Sequence, residues 1–213
     1  KENEKKIMDV DWEQVDRISM ENPNNRIVLE KDGDQWKITA PVRDLADGYG
    51  VQSVINGFRY ATVDRRIEKI DQPLSAFGFD PPQAKVTFRI GSMTKTVEFG
   101  DLHNIQGSVY VKLASDPEIL LVSDSLLETA KKSLDEIRES KLFRGDLSSP
   151  SRVTVKTGDS TLELVKTPKE ENTEIGEWAW EITKPIHDLA DESAADEYVR
   201  KITGLQAVKF LDA

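Results

Sequence analysis

The sequence contains an internal repeat, which restricts the chain to folds that use one structural unit twice. The segment WKITAP at 36–41 recurs as WEITKP at 180–185, and DLAD at 44–47 recurs unchanged at 188–191. Both matches have an offset of 144 residues. Two upstream matches have an offset of 135: 17–20 with 152–155, and 27–31 with 162–166. The second copy is therefore expected to carry nine extra residues, in the loop at 166–177.

Each copy begins with a pattern that predicts a β-hairpin and a third strand. Polar turns at 22–25 and 157–160 separate two short β-branched runs in each copy. The third strand alternates apolar and charged residues around Trp36 or Trp180, as a sheet with one solvated face requires. A proline ends this strand in both copies, because proline cannot donate to the hydrogen-bond ladder.

A helix is predicted to follow in each copy and to cover one face of the sheet. Asp47 and Asp191 stand where a helix N-cap belongs, since a carboxylate there accepts hydrogen bonds from unpaired N–H groups. Two glycines, at positions 48 and 50, weaken the first turn of the first helix, whereas the second copy has glutamate and alanine there. We interpret these glycines as the mark of a close backbone contact.

The residues between the copies predict an antiparallel β-meander and a further helix. FGFDPP at 77–82 is a turn signal, because its two prolines prevent a helix from continuing. A helix is expected from Ser125 to about Lys141, with Leu134 and Ile137 on its apolar face, and it should pack on the meander. Four short strands of the meander are predicted before it: 84–90, 94–99, 108–113 and 118–122.

The predicted fold class is therefore α+β, with repeated hairpin, strand and helix units whose antiparallel sheets are covered by helices on one face. The second unit is expected to end in a strand at 205–211 that corresponds to 61–67, an arrangement compatible with a native chain that continues beyond Ala213. Four segments are predicted: a charged tether and lead-in at 1–14, a first unit with the inserted meander and helix at 15–144, a linker at 145–151, and a shorter second unit at 152–213.

Charge and composition exclude several classes of function. The formal net charge of -10 repels nucleic acid phosphates and anionic lipid headgroups, so nucleic acid is not an expected partner. The absence of cysteine excludes disulfides, thiol catalysis and cysteine-ligated metal sites. The apolar-free opening KENEKK begins with Lys1 rather than Met, and such a charged tether commonly follows an anchor. We therefore expect a membrane anchor upstream of the tether, with an expression tag, a signal peptide or a trimmed cytosolic terminus as the alternatives.

An ordered series of motifs resembles one known family. WKITAP at 36–41, FGFDPP at 77–82, VYV at 109–111 and ILLVS at 119–123 together resemble the domain of unknown function 4340 family over most of residues 7–142. The resemblance implies a single N-terminal transmembrane helix, a charged tether and an extracytoplasmic repeat region. Some members are similar to auxiliary proteins of gliding-motility-type ABC transporters. The resemblance implies location and context, and it carries over no catalytic residue.

The acidic pairs and the histidines have structural interpretations. The D-x-x-D spacing of DLAD in both copies can bring two carboxylates near a calcium ion, but helix capping and turn formation explain it more simply. His103 and His187 lie in predicted turns and belong to no metal or triad pattern, so both are expected to be surface residues. We therefore predict no catalytic residue, no metal site and no cofactor.

The aromatic residues are the candidate contacts for a partner. Trp36 and Trp180 occupy equivalent repeat positions and are predicted to anchor the core between sheet and helix, with a stacking platform as the alternative. Trp178 and Trp12 have no such counterparts and are expected to be exposed, and Tyr110 is a third candidate contact.

These observations predict a non-enzymatic, extracytoplasmic protein-interaction module. The expected partner is another protein, such as a transporter subunit. The protein is expected to be anchored to the cytoplasmic membrane, with its module in the periplasm or at the cell surface. The alternative is a glycan-binding or peptidoglycan-binding module that uses exposed aromatic rings. A hydrolase with paired carboxylates would need two acids placed across a cleft, and the sequence indicates no such pair.

Overall fold

The computed structural model describes residues 5–103, 107–144, 147, 150–168 and 178–211. The chain divides into two compact units, Lys1–Glu139 (unit 1) and Ser140–Ala213 (unit 2). Antiparallel sheets dominate both units and a few helices accompany them, in agreement with the α+β class predicted from the sequence.

Unit 1 contains a nine-stranded antiparallel sheet in the order β4-β3-β2-β1-β6-β7-β8-β9-β5. Short 3-10 helices at Trp12–Gln14 and Leu74–Phe77 precede β1 and β6. The strands and helices of the unit are β1 (Val15–Asn22), β2 (Asn25–Asp32), β3 (Gln35–Ala40), β4 (Asp44–Leu45), α1 (Gly48–Tyr60), β5 (Val63–Ile67), β6 (Ala84–Ile90), β7 (Met93–Leu102), β8 (Ser108–Leu113), β9 (Ile119–Ser123) and α2 (Ser125–Ala130).

Helix α1 joins the two edge strands of this sheet, β4 and β5. Its 13 residues make a helix about 20 Å long, which is less than the roughly 38 Å that nine strands span when laid flat. The residues at 46–47 and 61–62 supply the rest of the connection. The helix packs an apolar face of Val51, Val54, Ile55 and Phe58 into the core between helix and sheet.

The four predicted meander strands are confirmed as β6 to β9, but they do not form a separate sheet. Strand β6 pairs with β1, and β9 pairs with β5, so the meander completes the sheet that the first hairpin begins. The sequence indicates each strand through its alternation, whereas the partner of an edge strand depends on contacts distant in sequence. Helix α2 contacts β6 and β9, as predicted for the helix after the meander.

The expectation that this helix extends to about Lys141 is wrong. Helix α2 ends at Ala130, and the chain then turns at Ser133, whose backbone N and Oγ donate to Glu136 at 2.8 and 2.7 Å. A serine that bonds a nearby carboxylate gives the backbone an alternative to the helix. Leu134 and Ile137 still pack on the core, but from a turn.

The segment that follows, residues 136–139, lies along the outer edge of β4 and is called the return segment below. The backbone N of Asp47 donates to the Ile137 carbonyl at 2.7 Å, and the backbone N of Glu139 donates to the Leu45 carbonyl at 3.0 Å. A Cβ placed on Gly50 would lie 2.9 Å from the Glu136 carbonyl oxygen. The close backbone contact expected from the glycines is therefore confirmed at Gly50, while a Cβ on Gly48 meets nothing within 4 Å.

Unit 2 contains a four-stranded antiparallel sheet in the order β10-β11-β12-β13, followed by one helix. The segment Ser140–Leu142 exchanges backbone hydrogen bonds with Leu205 and Ala207. The strand predicted at 205–211 is wrong, because among the described residues Gln206 makes an isolated bridge to Lys141 instead of a ladder. The elements of the unit are β10 (Arg152–Thr157), β11 (Ser160–Pro168), β12 (Trp178–Lys184), β13 (Asp188–Leu189) and α3 (Glu192–Thr203).

Local geometry is shared by the two units. The backbone N of Ala46 donates to the Trp36 carbonyl at 2.9 Å, and Ala190 donates to the Trp180 carbonyl at the same distance. Both hairpins turn where predicted, at 22–25 and 157–160, and both third strands end before the prolines. Much of the predicted linker at 145–151 and most of the predicted loop at 166–177 lie outside the described residues.

Candidate functional site

The three candidate contact residues lie in different environments. Trp178, at the start of β12, exposes 54% of its surface. Trp12 is only 8% exposed and packs edge-to-face on Phe88 with 5.3 Å between ring centroids, so its predicted exposure is wrong. Tyr110 is half-buried on β8, where Phe77 and His103 pack edge-on against its ring. Trp178 is therefore the most exposed of the three candidates.

Trp180 is a core residue, as predicted from the repeat. It is 2% exposed, its Nε1 donates to an Asp196 carboxylate oxygen at 2.8 Å, and the Lys166 ammonium lies 5.4 Å from its ring centroid. Its counterpart Trp36 is half-buried against the core of unit 1. The burial of Trp180 and the partial burial of Trp36 agree with the predicted role of an anchor between sheet and helix.

The DLAD carboxylates serve the backbone. Asp47 accepts hydrogen bonds from the backbone N of Tyr49 and Gly50 at 3.3 and 2.8 Å, and Asp191 accepts one from Ala194 at 2.8 Å, which confirms both N-caps. Asp44 pairs with Arg138 at 2.7 Å. In the described part of the chain, no group of three or more acidic, histidine or cysteine side chains is placed to hold a metal ion.

The two histidines occupy the turn positions expected from the sequence. His103 directly follows β7, is half-buried, and its backbone N donates to the Ser108 carbonyl at 2.9 Å. His187 is exposed between β12 and β13. The His103 ring packs edge-to-face on Tyr110 with 5.2 Å between ring centroids.

A buried carboxylate, Glu163 on β11, was not singled out by the sequence. It is 8% exposed and accepts hydrogen bonds from Thr183 Oγ1 and Arg152 Nη1, both at 2.9 Å, while Lys184 Nζ lies 3.3 Å away. The Thr183 hydrogen bond and, after it, the two cations hold the pKa of Glu163 below its ordinary value, although burial opposes this shift. The corresponding residue of unit 1 is the buried Val28. Glu163 thus ties β10, β11 and β12 together.

Acidification is expected to loosen this part of unit 2. A carboxylate whose pKa is lowered on folding contributes stability that is fully present above its unfolded pKa, about 4.3, and is lost as the pH falls through the lower folded value. The protection factors of the β11 amides, corrected for the intrinsic exchange rate, should therefore fall below about pH 4. In Glu163→Gln this fall should disappear, and a fall as large in that variant as in the unmodified chain would contradict the assignment.

A polar cavity of about 480 Å³ lies at the tip of the β1–β2 hairpin in unit 1. Asn22, Asn24 and Asn25 line it together with Gln83 and Lys131, and the Lys131 ammonium donates to the Gln83 side-chain oxygen at 2.9 Å. The lining groups already bond one another in part. The Ser133 hydroxyl also lines the cavity and donates to the Glu136 carboxylate at 2.7 Å, so the lining as a whole suits hydrogen bonding.

Unit 2 has more exposed apolar side chains than unit 1, although it is the shorter of the two. Among the described residues, nine large apolar or aromatic side chains are exposed in unit 2, against five in the longer unit 1. The exposed apolar set of unit 2 is defined by six of them: Leu142, Phe143, Ile186, Leu189, Val208 and Leu211. The buried apolar core of the unit consists of Leu164, Trp180, Ala195 and Val199.

Two members of this set show what unit 2 lacks relative to unit 1. Ile186 and Leu189 are 59% and 71% exposed. Their counterparts by the repeat, Val42 and Leu45, are half-buried, and the return segment hydrogen-bonds the Leu45 carbonyl. The apolar character of these positions is thus shared between the units, whereas their covering is not.

Comparison with known families gives one match. The family model of the domain of unknown function DUF4340 matches residues 36–213, from β3 of unit 1 through unit 2. The chain belongs to this family. The DUF4340 match begins later and extends further than the resemblance at 7–142 predicted. No curated protein and no solved structure matches the chain. None of the helices in the described part of this DUF4340 chain combines the length and apolarity that a membrane span requires.

Proposed function

We propose that this DUF4340 chain is a non-enzymatic protein-interaction module of a membrane-tethered, extracytoplasmic protein, accessory to a transporter or a cell-surface assembly. The observation that supports this proposal best is the exposed apolar set of unit 2. Exposed apolar side chains gain free energy when a partner protein removes them from water. Interaction surfaces of this kind need shape and apolar contact, and they need no reactive group.

The repeat supports the same proposal. Unit 2 has the hairpin, third strand, short edge strand and capped helix of unit 1 in the same order, and we infer that it is a shortened copy of that unit. The copy retains apolar residues at positions that unit 1 covers with its own chain. Retained apolar residues of this kind are suited to contact with a partner, because burial of a leucine or isoleucine side chain contributes about 1.5–3 kcal/mol.

The chemistry of the acidic side chains is consistent with a non-enzymatic role. Asp47 and Asp191 cap helices, Asp44 pairs with Arg138, and Glu163 is held by three neighbouring side chains. Each of these carboxylates therefore stabilises the local structure around it. Tethering and extracytoplasmic location follow, within the proposal, from the charged opening segment and from the resemblance drawn above.

A glycan-binding module is the second candidate, and the exposure of Trp178 is the observation that favours it. Sugar-binding platforms commonly use an open aromatic face. The other two candidate rings are packed, at Trp12 by Phe88 and at Tyr110 by Phe77 and His103. The single exposed ring of Trp178 offers less surface to a ligand than the six residues of the exposed apolar set do. Protein binding is therefore the better supported function.

Affinity capture of the full-length tethered protein from its native membrane, with crosslinking and mass spectrometry, tests the proposal. We expect transporter or cell-surface proteins to be recovered. Ile186→Ser combined with Leu189→Ser should lower that recovery at least about tenfold, because loss of about 1.4 kcal/mol of apolar contact is enough for this effect.

Leu74→Ser combined with Met93→Ser is the matched control, because both residues are exposed apolar side chains of unit 1. Its recovery should equal that of the unmodified protein. Recovery of cell-wall fragments without protein partners would instead favour glycan binding.

A further inference from the structure

Strand β10 is paired on one side in the described part of the chain. Its ladder with β11 runs from Arg152 to Thr157, and β10 is the first strand in the order of its sheet. The matching strand of unit 1, β1, is paired on both sides, with β2 and with β6. Strand β10 therefore presents an edge at the place where unit 1 receives the first strand of its meander.

Equivalent side chains of β1 and β10 differ in exposure. Ile18 and Met20 of β1 are 0% and 2% exposed, and their partners across the ladder are Phe88 and Val86 of β6. The repeat places Val153 and Val155 at the positions of Ile18 and Met20, and both valines are half-exposed. An added strand would bury them.

The free backbone groups of β10 can be assigned from its hairpin. Thr157 and Ser160 flank a two-residue turn, and such flanking residues form a hydrogen-bonded pair, so Val155 and Val153 also bond β11. The 2.8 Å bond from the Lys166 backbone N to the Ser151 carbonyl continues the same alternation. The N–H and C=O groups of Thr154 and Lys156 therefore point toward the open edge.

The opposite edge of this sheet, β13, is a poorer site for the backbone approach seen in unit 1. There the return segment comes so close to α1 that a Cβ on Gly50 would lie 2.9 Å from the Glu136 carbonyl oxygen. Unit 2 has Ala194 at this position of the repeat, so an equally close approach would meet its Cβ. Strand addition is thus favoured at β10.

Charge indicates what kind of strand fits. Arg152 and Lys156 flank the two valines, and both side chains are exposed, although Arg152 also contacts Glu163. If two copies paired through β10 with Val153 opposite Val155, Arg152 would lie opposite Lys156. Like charges directly opposite destabilise an antiparallel pair. The edge therefore favours a strand with acidic residues at these two places over a second copy of itself.

We propose that β10 binds an extended segment of a partner protein by antiparallel strand addition, with apolar side chains opposite Val153 and Val155 and acidic side chains opposite Arg152 and Lys156. This proposal rests on the proposed function and adds to the exposed apolar set a second contact of the partner, at the β10 edge. Backbone hydrogen bonds from Thr154 and Lys156 supply affinity, and the alternating side chains supply specificity.

A labelled peptide with the sequence of residues 84–90, carrying Lys85→Glu and Arg89→Glu, is the probe. In the register of β6 on β1, the two glutamates fall opposite Lys156 and Arg152. Binding to the 213-residue chain is measured by fluorescence anisotropy, with the unaltered β6 peptide as the charge control. We expect saturable binding of the acidic peptide and at least about tenfold weaker binding of the basic one.

Thr154→Pro removes an outward N–H and leaves the bonds to β11 in place, since proline is tolerated on the free side of an edge strand. This variant should bind the acidic peptide at least about tenfold more weakly than the unmodified chain does. Thr154→Val keeps the N–H and should bind the peptide with the affinity of the unmodified chain. Should Thr154→Pro fail to fold, Lys156→Glu is the second variant, and it should shift preference toward the basic peptide. Equal affinity across these variants, or absence of saturable binding, overturns the proposal.

The remaining outcomes separate this inference from the function on which it rests. A dimer in light scattering that Thr154→Pro abolishes would show that a second copy occupies the edge, against the proposal. If membrane capture recovers the same proteins with Thr154→Pro and Thr154→Val, the partner binds elsewhere. That result would support the proposed function and refute the β10 binding site. If the unmodified protein recovers no protein partner, the function itself falls.

Discussion

Phe58→Ala is expected to lower the free energy of unfolding of unit 1 by about 3–5 kcal/mol. Phe58 is 1% exposed on α1, and its ring packs edge-to-face on Phe88 and Phe99, with centroid distances of 4.9 and 6.1 Å. Truncation removes buried apolar area and both ring contacts, and it leaves a cavity between helix and sheet. Urea unfolding followed by circular dichroism measures the change.

Tyr49→Ala is the control for this prediction, because Tyr49 lies on the same helix and is 87% exposed. Its effect should stay within about 0.5 kcal/mol. Comparable losses in the two variants would contradict the packing of α1 against the middle of the sheet.

Gly50→Ala is expected to destabilise unit 1 by about 1–3 kcal/mol, although alanine ordinarily favours a helix over glycine. The added Cβ would lie 2.9 Å from the Glu136 carbonyl oxygen, so the return segment or α1 must move. The neighbouring Gly48→Ala meets open space and should leave stability unchanged or slightly raised. Both are measured by urea unfolding, and a stabilising Gly50→Ala would show that the return segment does not approach α1 this closely.

The features predicted correctly from the sequence are those determined by neighbouring residues. The hairpin turns, the strand ends before Pro41 and Pro185, and the N-caps at Asp47 and Asp191 depend on backbone chemistry within a few positions. The meander strands were also predicted within a few residues, because their apolar alternation is strong. The core position of Trp180 followed from its recurrence at an equivalent place in the repeat.

The errors concern contacts between residues distant in sequence. The apolar spacing of Leu134 and Ile137 suits a helix, yet both reach the core from a turn fixed by Ser133 and Glu136. Trp12 had no repeat counterpart to signal burial, and its partner Phe88 lies on a strand 76 positions later. Glu163 looked like one of many surface acids, because its partners come from two other strands.

The two units together give the functional account its physical basis. In unit 1, the meander and the return segment cover both flanks of the β1–β4 hairpin and strand arrangement. Unit 2 repeats the arrangement with apolar residues at matching positions, and in the described part of the chain these positions are exposed. We therefore propose that unit 2 carries the recognition surface, and unit 1 is an internal example of how such a surface is completed.

Residue-resolved amide hydrogen exchange of the free 213-residue chain tests the central claim most directly, because it compares β1 with β10 in one sample. We predict that the amides of Ser19 and Glu21, bonded to β6, are protected, whereas those of Thr154 and Lys156 exchange at nearly unprotected rates beside protected Val153 and Val155. Equal protection of all four β10 amides would show that the edge is already covered, and would contradict the account.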